Sequence, residues 1–99
     1  MMESGETENT FLDGGDISVS IYPNPNMGRF SVSMDGMNGK DYCITIFNKL
    51  GKEISILNAR SEKGKVTETV NLSGFSSGLY FVSLRIGEHK IVKKAIVTK

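Results

Sequence analysis

Ile17-Ser18-Val19-Ser20-Ile21-Tyr22-Pro23-Asn24-Pro25-Asn26-Met27-Gly28-Arg29-Phe30-Ser31-Val32-Ser33-Met34 holds two apolar alternations separated by a stiff interruption. An alternation of period two is the mark of a strand with one face buried and the other in water. Ile17, Val19 and Ile21 share a face, with Ser18 and Ser20 opposite. Phe30, Val32 and Met34 repeat the pattern against Ser31 and Ser33. Between them stand the two prolines of the chain, Pro23 and Pro25. Each fixes its own φ near about −65° and pushes the residue before it, Tyr22 or Asn24, toward extended geometry. Asn26 and Gly28 then supply turn chemistry, Gly28 being free to take a positive φ. The stretch reads as a rigid connector that delivers Ile21 and Phe30 to neighbouring strands, a role compatible with any function.

The same period runs on from there and never gives way to a helical one. Asp35-Gly36-Met37-Asn38-Gly39 is a turn; Tyr42, Ile44 and Ile46 mark the next strand. Asn48-Lys49-Leu50-Gly51-Lys52 reads as a tight hairpin, with Asn48 opening a type I turn and Gly51 in the left-handed position after it. A return strand is expected over residues 53–58, with Ile54 and Ile56 on one face, then a turn at Ser61-Glu62-Lys63-Gly64. Residues 65–72 form a weaker strand, because Glu68 falls in phase with Val66, Val70 and Leu72; an edge position or a bulge would accommodate it. Tyr80, Val82, Leu84 and Ile86 make the longest clean alternation, with Phe81 outward or covering a loop. Over residues 90–98 the phase is ambiguous, since Ile91, Ala95 and Val97 oppose Val92 and Ile96. Seven strands with one-sided hydrophobicity and Gly/Asn/Asp/Ser turns predict an all-β, seven-stranded antiparallel β-sandwich, immunoglobulin-like, over residues 17–99. Residues 1–16 read as a flexible linker or lead.

Ninety-nine residues allow one domain, and no run approaches the ~20 apolar residues of a membrane-spanning helix. A net charge of +1 gives no reason to expect nucleic acid, and membrane insertion is not expected. The layout of charge says more. Glu3, Glu6, Glu8, Asp13 and Asp16 lie in the lead without a Lys or Arg, whereas Arg85, Lys90, Lys93, Lys94 and Lys99 crowd the last fifteen positions. The basic end reads either as a solvated face or as a dock for an acidic partner. Residues 1–6 lack a basic, apolar export signal, and the acidic start resembles a fragment of a longer protein.

Catalytic templates find no match, so an enzyme is not expected. Cys43 is the one cysteine and His89 the one histidine, with no motif around either. Asp13-Gly14-Gly15-Asp16 lacks the spacing and distal glutamate of a calcium loop. No metal or cofactor is expected. Tyr22, Phe47, Phe75, Tyr80 and Phe81 offer a glycan- or peptide-binding face, though core and loop cover explains most of them.

Three blocks together resemble the C-terminal sorting domain of the type IX secretion system of gram-negative bacteria. The first is Tyr22-Pro23-Asn24-Pro25 with Gly28 and Phe30. The second is the hairpin from Ile44 to Ile54 around Asn48 and Gly51. The third joins Leu72 and Gly78-Leu79-Tyr80-Phe81-Val82 to the closing Lys93-Lys94-Ala95-Ile96-Val97-Thr98-Lys99. The resemblance implies a folded secretion signal on a cargo protein. Such a cargo crosses the inner membrane and the periplasm, and its tail is read by the outer-membrane translocon. A sortase-type peptidase then commonly removes the tail at the cell surface and joins the cargo to an anionic lipopolysaccharide. On that basis cleavage is expected in residues 4–16, where backbone is unpaired. Translocon docking is assigned to Gly78, Tyr80, Lys93, Lys94, Val97 and Lys99. Pro23, Asn24, Pro25, Gly28, Phe30, Asn48 and Gly51 form the structural motif. One expected mode is strand addition at the lysine-bearing edge of the last strand; pairing of two copies through edges is another option. The rival reading is an immunoglobulin- or fibronectin-like accessory or carbohydrate-binding module of a secreted hydrolase.

Overall fold

The computed structural model describes residues 10–12 and 17–99. The strands are β1 (Thr10–Leu12), β2 (Ile17–Tyr22), β3 (Arg29–Asp35), β4 (Lys40–Asn48), β5 (Glu53–Ser61), β6 (Lys65–Asn71), β7 (Gly78–Ile86) and β8 (His89–Val97). β2 to β8 are the seven expected strands. The lead as a linker, the Asp13-Gly14-Gly15-Asp16 segment and the domain start at residue 17 fall largely outside the described residues; of the lead, Thr10–Leu12 pairs antiparallel with β2.

Two antiparallel sheets form, in the orders β1-β2-β3-β6 and β5-β4-β7-β8. β3 pairs with β6 across the chain excursion through β4 and β5, and β4 pairs with β7, a Greek-key wrap of the immunoglobulin-like kind. The alternations written in the sequence become the two inner faces. Ile17, Val19, Ile21, Phe30, Val32 and Met34 meet Tyr42, Ile44, Ile46, Val82, Leu84 and Ile86 in one core. Burying a Val, Ile, Leu or Phe side chain contributes roughly 1.5–3 kcal/mol, so these rows drive the stacking.

The structure resolves or corrects three expectations. β8 buries Ile91, Ala95 and Val97 and leaves Val92 and Ile96 exposed. β5 runs to Ser61, and Ile54 and Ile56 do not share an environment: a bulge opposite Ile46 and Phe47 changes the phase, so Ile54 packs on the core while Ile56 stays exposed. Met37, expected in a turn, is fully buried and plugs the end of the sandwich; its N–H donates to the Gly64 carbonyl at 2.9 Å.

Glu68 does sit on an edge strand, and it also has a partner. The Tyr42 hydroxyl of the facing sheet donates to its carboxylate, tying the two layers together. Burial, then the hydrogen bond and the charge of Glu68, push the Tyr42 pKa up to about 12. A folded-state pKa above the unfolded value of 10.0 means that this stabilisation is complete below pH 10 and is lost as pH rises through about 12. Urea midpoints measured across that window should fall for the native chain, and Tyr42→Phe should flatten this part of the fall. At neutral pH the same substitution should cost about 1–2 kcal/mol, because it leaves a half-buried carboxylate without its donor.

Candidate functional site

The antiparallel wrap brings the ends of β2, β4, β6 and β8 and the starts of β3, β5 and β7 to one pole. Four segments meet there: the connector 23–28, the hairpin 49–52, the loop 72–77 and residues 98–99. The three motif blocks, spread over most of the sequence, therefore converge.

The central contact joins the connector to β8. Asn24 uses its side-chain amide as a strand would use a peptide group: Nδ2 donates to the Lys94 carbonyl at 2.8 Å, and Oδ1 accepts the Ile96 N–H at 2.9 Å. Asn26 continues with its own backbone. Its N–H donates to the Ile96 carbonyl at 2.8 Å and its carbonyl accepts the Thr98 N–H at 2.7 Å, a parallel bridge to Val97. The buried Asn26 side chain holds the turn, accepting the Gly28 N–H at 2.9 Å and donating to the Pro23 carbonyl at 3.3 Å. Pro23 and Pro25, both preceded by cis peptides, bracket Asn24. The edge of β8 over residues 94–98 is thus already paired from within the chain, so strand addition has no open backbone to use on this stretch.

The end of the chain is clasped in the same way. The Lys99 N–H donates to Ser77 Oγ at 3.0 Å, and its ammonium donates to the carbonyls of Ser73, at 2.6 Å, and Phe75. Gly28 adopts φ +114° where the same loop leaves little room for a Cβ, and its carbonyl accepts the Leu72 N–H. The Tyr80 hydroxyl donates to the Ser76 carbonyl at 2.6 Å from a buried ring. Asn48 opens the hairpin as expected. Its Oδ1 accepts the Leu50 and Lys52 N–H groups, each at 2.9 Å, with Gly51 at φ +85°.

The residues assigned to docking differ in accessibility. Tyr80 and Val97 are buried and act inside the core; Gly78 and Lys93 are half-buried; Lys94 and Lys99 are exposed, Lys99 with its ammonium engaged as above. Phe30 is buried beneath the connector's far end. Sequence reasoning overlooked Met27 and Leu50 as surface features and gave Phe75 no place on the pole. Each is an apolar residue at the tip of a polar turn, and that mismatch is the signal that finds them. Leu50 and Phe75 flank a cleft of about 270 Å³ with Ile54, Leu79 and Tyr80 on its walls. Among the described residues no three His, Cys, Asp or Glu side chains gather as they would around a metal ion.

The fold and this pole define a small β-sandwich module whose distinctive residues lock a far-upstream connector to the last strand. Residues 20–98 match the family described as "Secretion system C-terminal sorting domain", and the chain belongs to it. It is 26% identical over 80 residues to the ulvan lyase NLR42 of Nonlabens ulvanivorans, a match that covers 81% of this chain and 14% of that protein. The chain thus spans a small fraction of the length of this relative. Membership makes it a type IX secretion sorting domain, a tail of secreted proteins bound for the cell surface or the extracellular space.

Proposed function

We propose that the outer-membrane type IX translocon docks on the β8 side of the locked pole, with Lys94 as its accessible cation, Gly78, Lys93 and Lys99 shaping the surface, and the buried Tyr80 and Val97 supporting it from the core. The observation that supports this is the Asn24–β8 lock, which joins residues 70 and 72 positions apart and makes the basic strand a fixed feature rather than a frayed end. A rigid, pre-paired strand presents its side chains with little ordering cost on binding. The cargo would reach the periplasm through an inner-membrane signal of its own. A sortase-type peptidase would then cut within residues 4–16, outside the Thr10–Leu12 segment that pairs with β2, and pass the cargo to an anionic lipopolysaccharide, leaving the sandwich as the spent tail.

The test fuses the 99-residue chain to an inert reporter with an ordinary export signal in a type IX-competent cell. The reporter is expected at the surface or in the medium. Lys94→Glu, at an exposed position beside the lock, should retain it in the periplasm with an unchanged melting temperature. Release equal to the native fusion would remove the lysine docking; release of the reporter without any tail would remove the sorting role.

A further inference from the structure

Each of three loops at the motif pole presents one large apolar side chain to solvent. Met27 of the connector is 78% exposed, Leu50 of the β4–β5 hairpin 85% and Phe75 of the β6–β7 loop 42%. None belongs to the core cluster. Single exposed apolar residues are ordinary on a protein surface, but three on separate loops at one end of a sandwich set that end apart. The charge around them has one dominant sign. Arg29, Lys49 and Lys52 are exposed at this pole, where Glu53 is the one carboxylate side chain among the described residues. Asp35, Asp41, Glu62 and Glu88 all fall at or beside the turns of the opposite pole, where they are mixed with at least as many cations, Arg60 being ion-paired with both Asp41 and Glu62.

Apolar tips interspersed with cations suit an interface that is greasy a few ångströms in and negatively charged at its surface. The tips stand on separate loops, and the cleft that Leu50 and Phe75 line does not include Met27. Tips spread over three loops suit a broad surface better than a single inserted side chain. We propose that this pole is a peripheral docking surface for an anionic lipid bilayer. Met27, Leu50 and Phe75 enter the headgroup region, and Arg29, Lys49 and Lys52 meet lipid phosphates. The proposal stands on exposure and charge and does not depend on how the translocon reads β8.

Flotation of the 99-residue chain with phosphatidylcholine vesicles, with and without phosphatidylglycerol, tests it. The chain should float with the anionic vesicles, remain behind with phosphatidylcholine alone, and be released by raised salt. Lys49→Gln with Lys52→Gln should weaken partitioning roughly 30-fold, at the strength of a cation near an anionic surface. Met27→Ser, Leu50→Ser and Phe75→Ser together should weaken it by about tenfold or more. Melting curves check that each variant stays folded. Should the triple variant melt early, Leu50→Ser alone, at the most exposed tip, carries the comparison. Failure of the native chain to float with anionic vesicles overturns the proposal, as does flotation that neither variant diminishes. If these variants abolish reporter export while the native chain never binds vesicles, the pole belongs to a protein partner and the lipid proposal falls. Export of the reporter by the native chain reads the sorting role separately from all of these outcomes.

Discussion

Deleting residues 94–99 is expected to unfold the domain, not merely to hide it from its receptor. The deletion removes Ala95 and Val97, both buried in the core. It also breaks the pairings of Gly78, Leu79 and Tyr80 with the end of β8, and both arms of the Asn24 clamp. One fully buried valine contributes roughly 1.5–3 kcal/mol. Each hydrogen bond lost between Asn24, Asn26, Lys99 and their partners contributes about 0.5–1.5 kcal/mol. The total is on the order of 5 kcal/mol or more, comparable with the whole stability of a small domain, roughly 5–15 kcal/mol. Urea denaturation followed by circular dichroism should show no cooperative transition in the deleted chain. Lys94→Glu, which keeps the backbone that Asn24 grips, should lie within about 0.5 kcal/mol of the native protein. A cooperative transition at the native midpoint in the deleted chain would mean that the lock contributes little. Retention of a truncated cargo is therefore poor evidence for docking, and surface substitutions are the cleaner probe.

Gly28→Ala is expected to do the most harm of the glycine substitutions at this pole. At φ +114° an L-residue is strained, which costs about 1–3 kcal/mol. The added Cβ would stand 3.2 Å from the Ser73 α-carbon and 3.4 Å from Lys99 Cε, so the backbone of the 72–77 loop must retreat as well. Overpacking of that kind adds about 1–3 kcal/mol. A net loss of roughly 2–6 kcal/mol should lower the melting temperature by roughly 10 °C or more. Gly74→Ala is the control on the same loop: its Cβ would meet nothing within 4 Å, and stability should move by no more than about 0.5 kcal/mol. Equal melting temperatures for the two variants would show that the connector does not press on the loop in solution.

These two results bear on how a folded export signal is built. An exposed, flat edge strand pairs with whatever strand it meets. Here the last strand is guarded twice over residues 94–98, by the exposed Lys94 side chain and by the asparagine clamp on its backbone. The backbone of this stretch is therefore closed to further pairing, and its exposed side chains are the features left to solvent.

Period-two alternation fixed which residues point inward on β2, β3, β4 and β7, because burial of one face of a strand leaves no other arrangement for those rows. Asn48 and Gly51 announced their hairpin by local chemistry alone, since the side-chain acceptor and the positive φ act within four residues. The motif blocks were legible as well, and they led to the family. What local pattern does not carry is the partner chosen across the fold. Asn24 is an ordinary turn residue until the wrap brings β8 alongside it. Glu68 breaks its strand's pattern until Tyr42 faces it from the other sheet. Met37 becomes a core plug, and Met27, Leu50 and Phe75 become one surface, only when loops distant in sequence meet at an end of the sandwich. Those are contacts between residues tens of positions apart, and only the packing of the two sheets decides them.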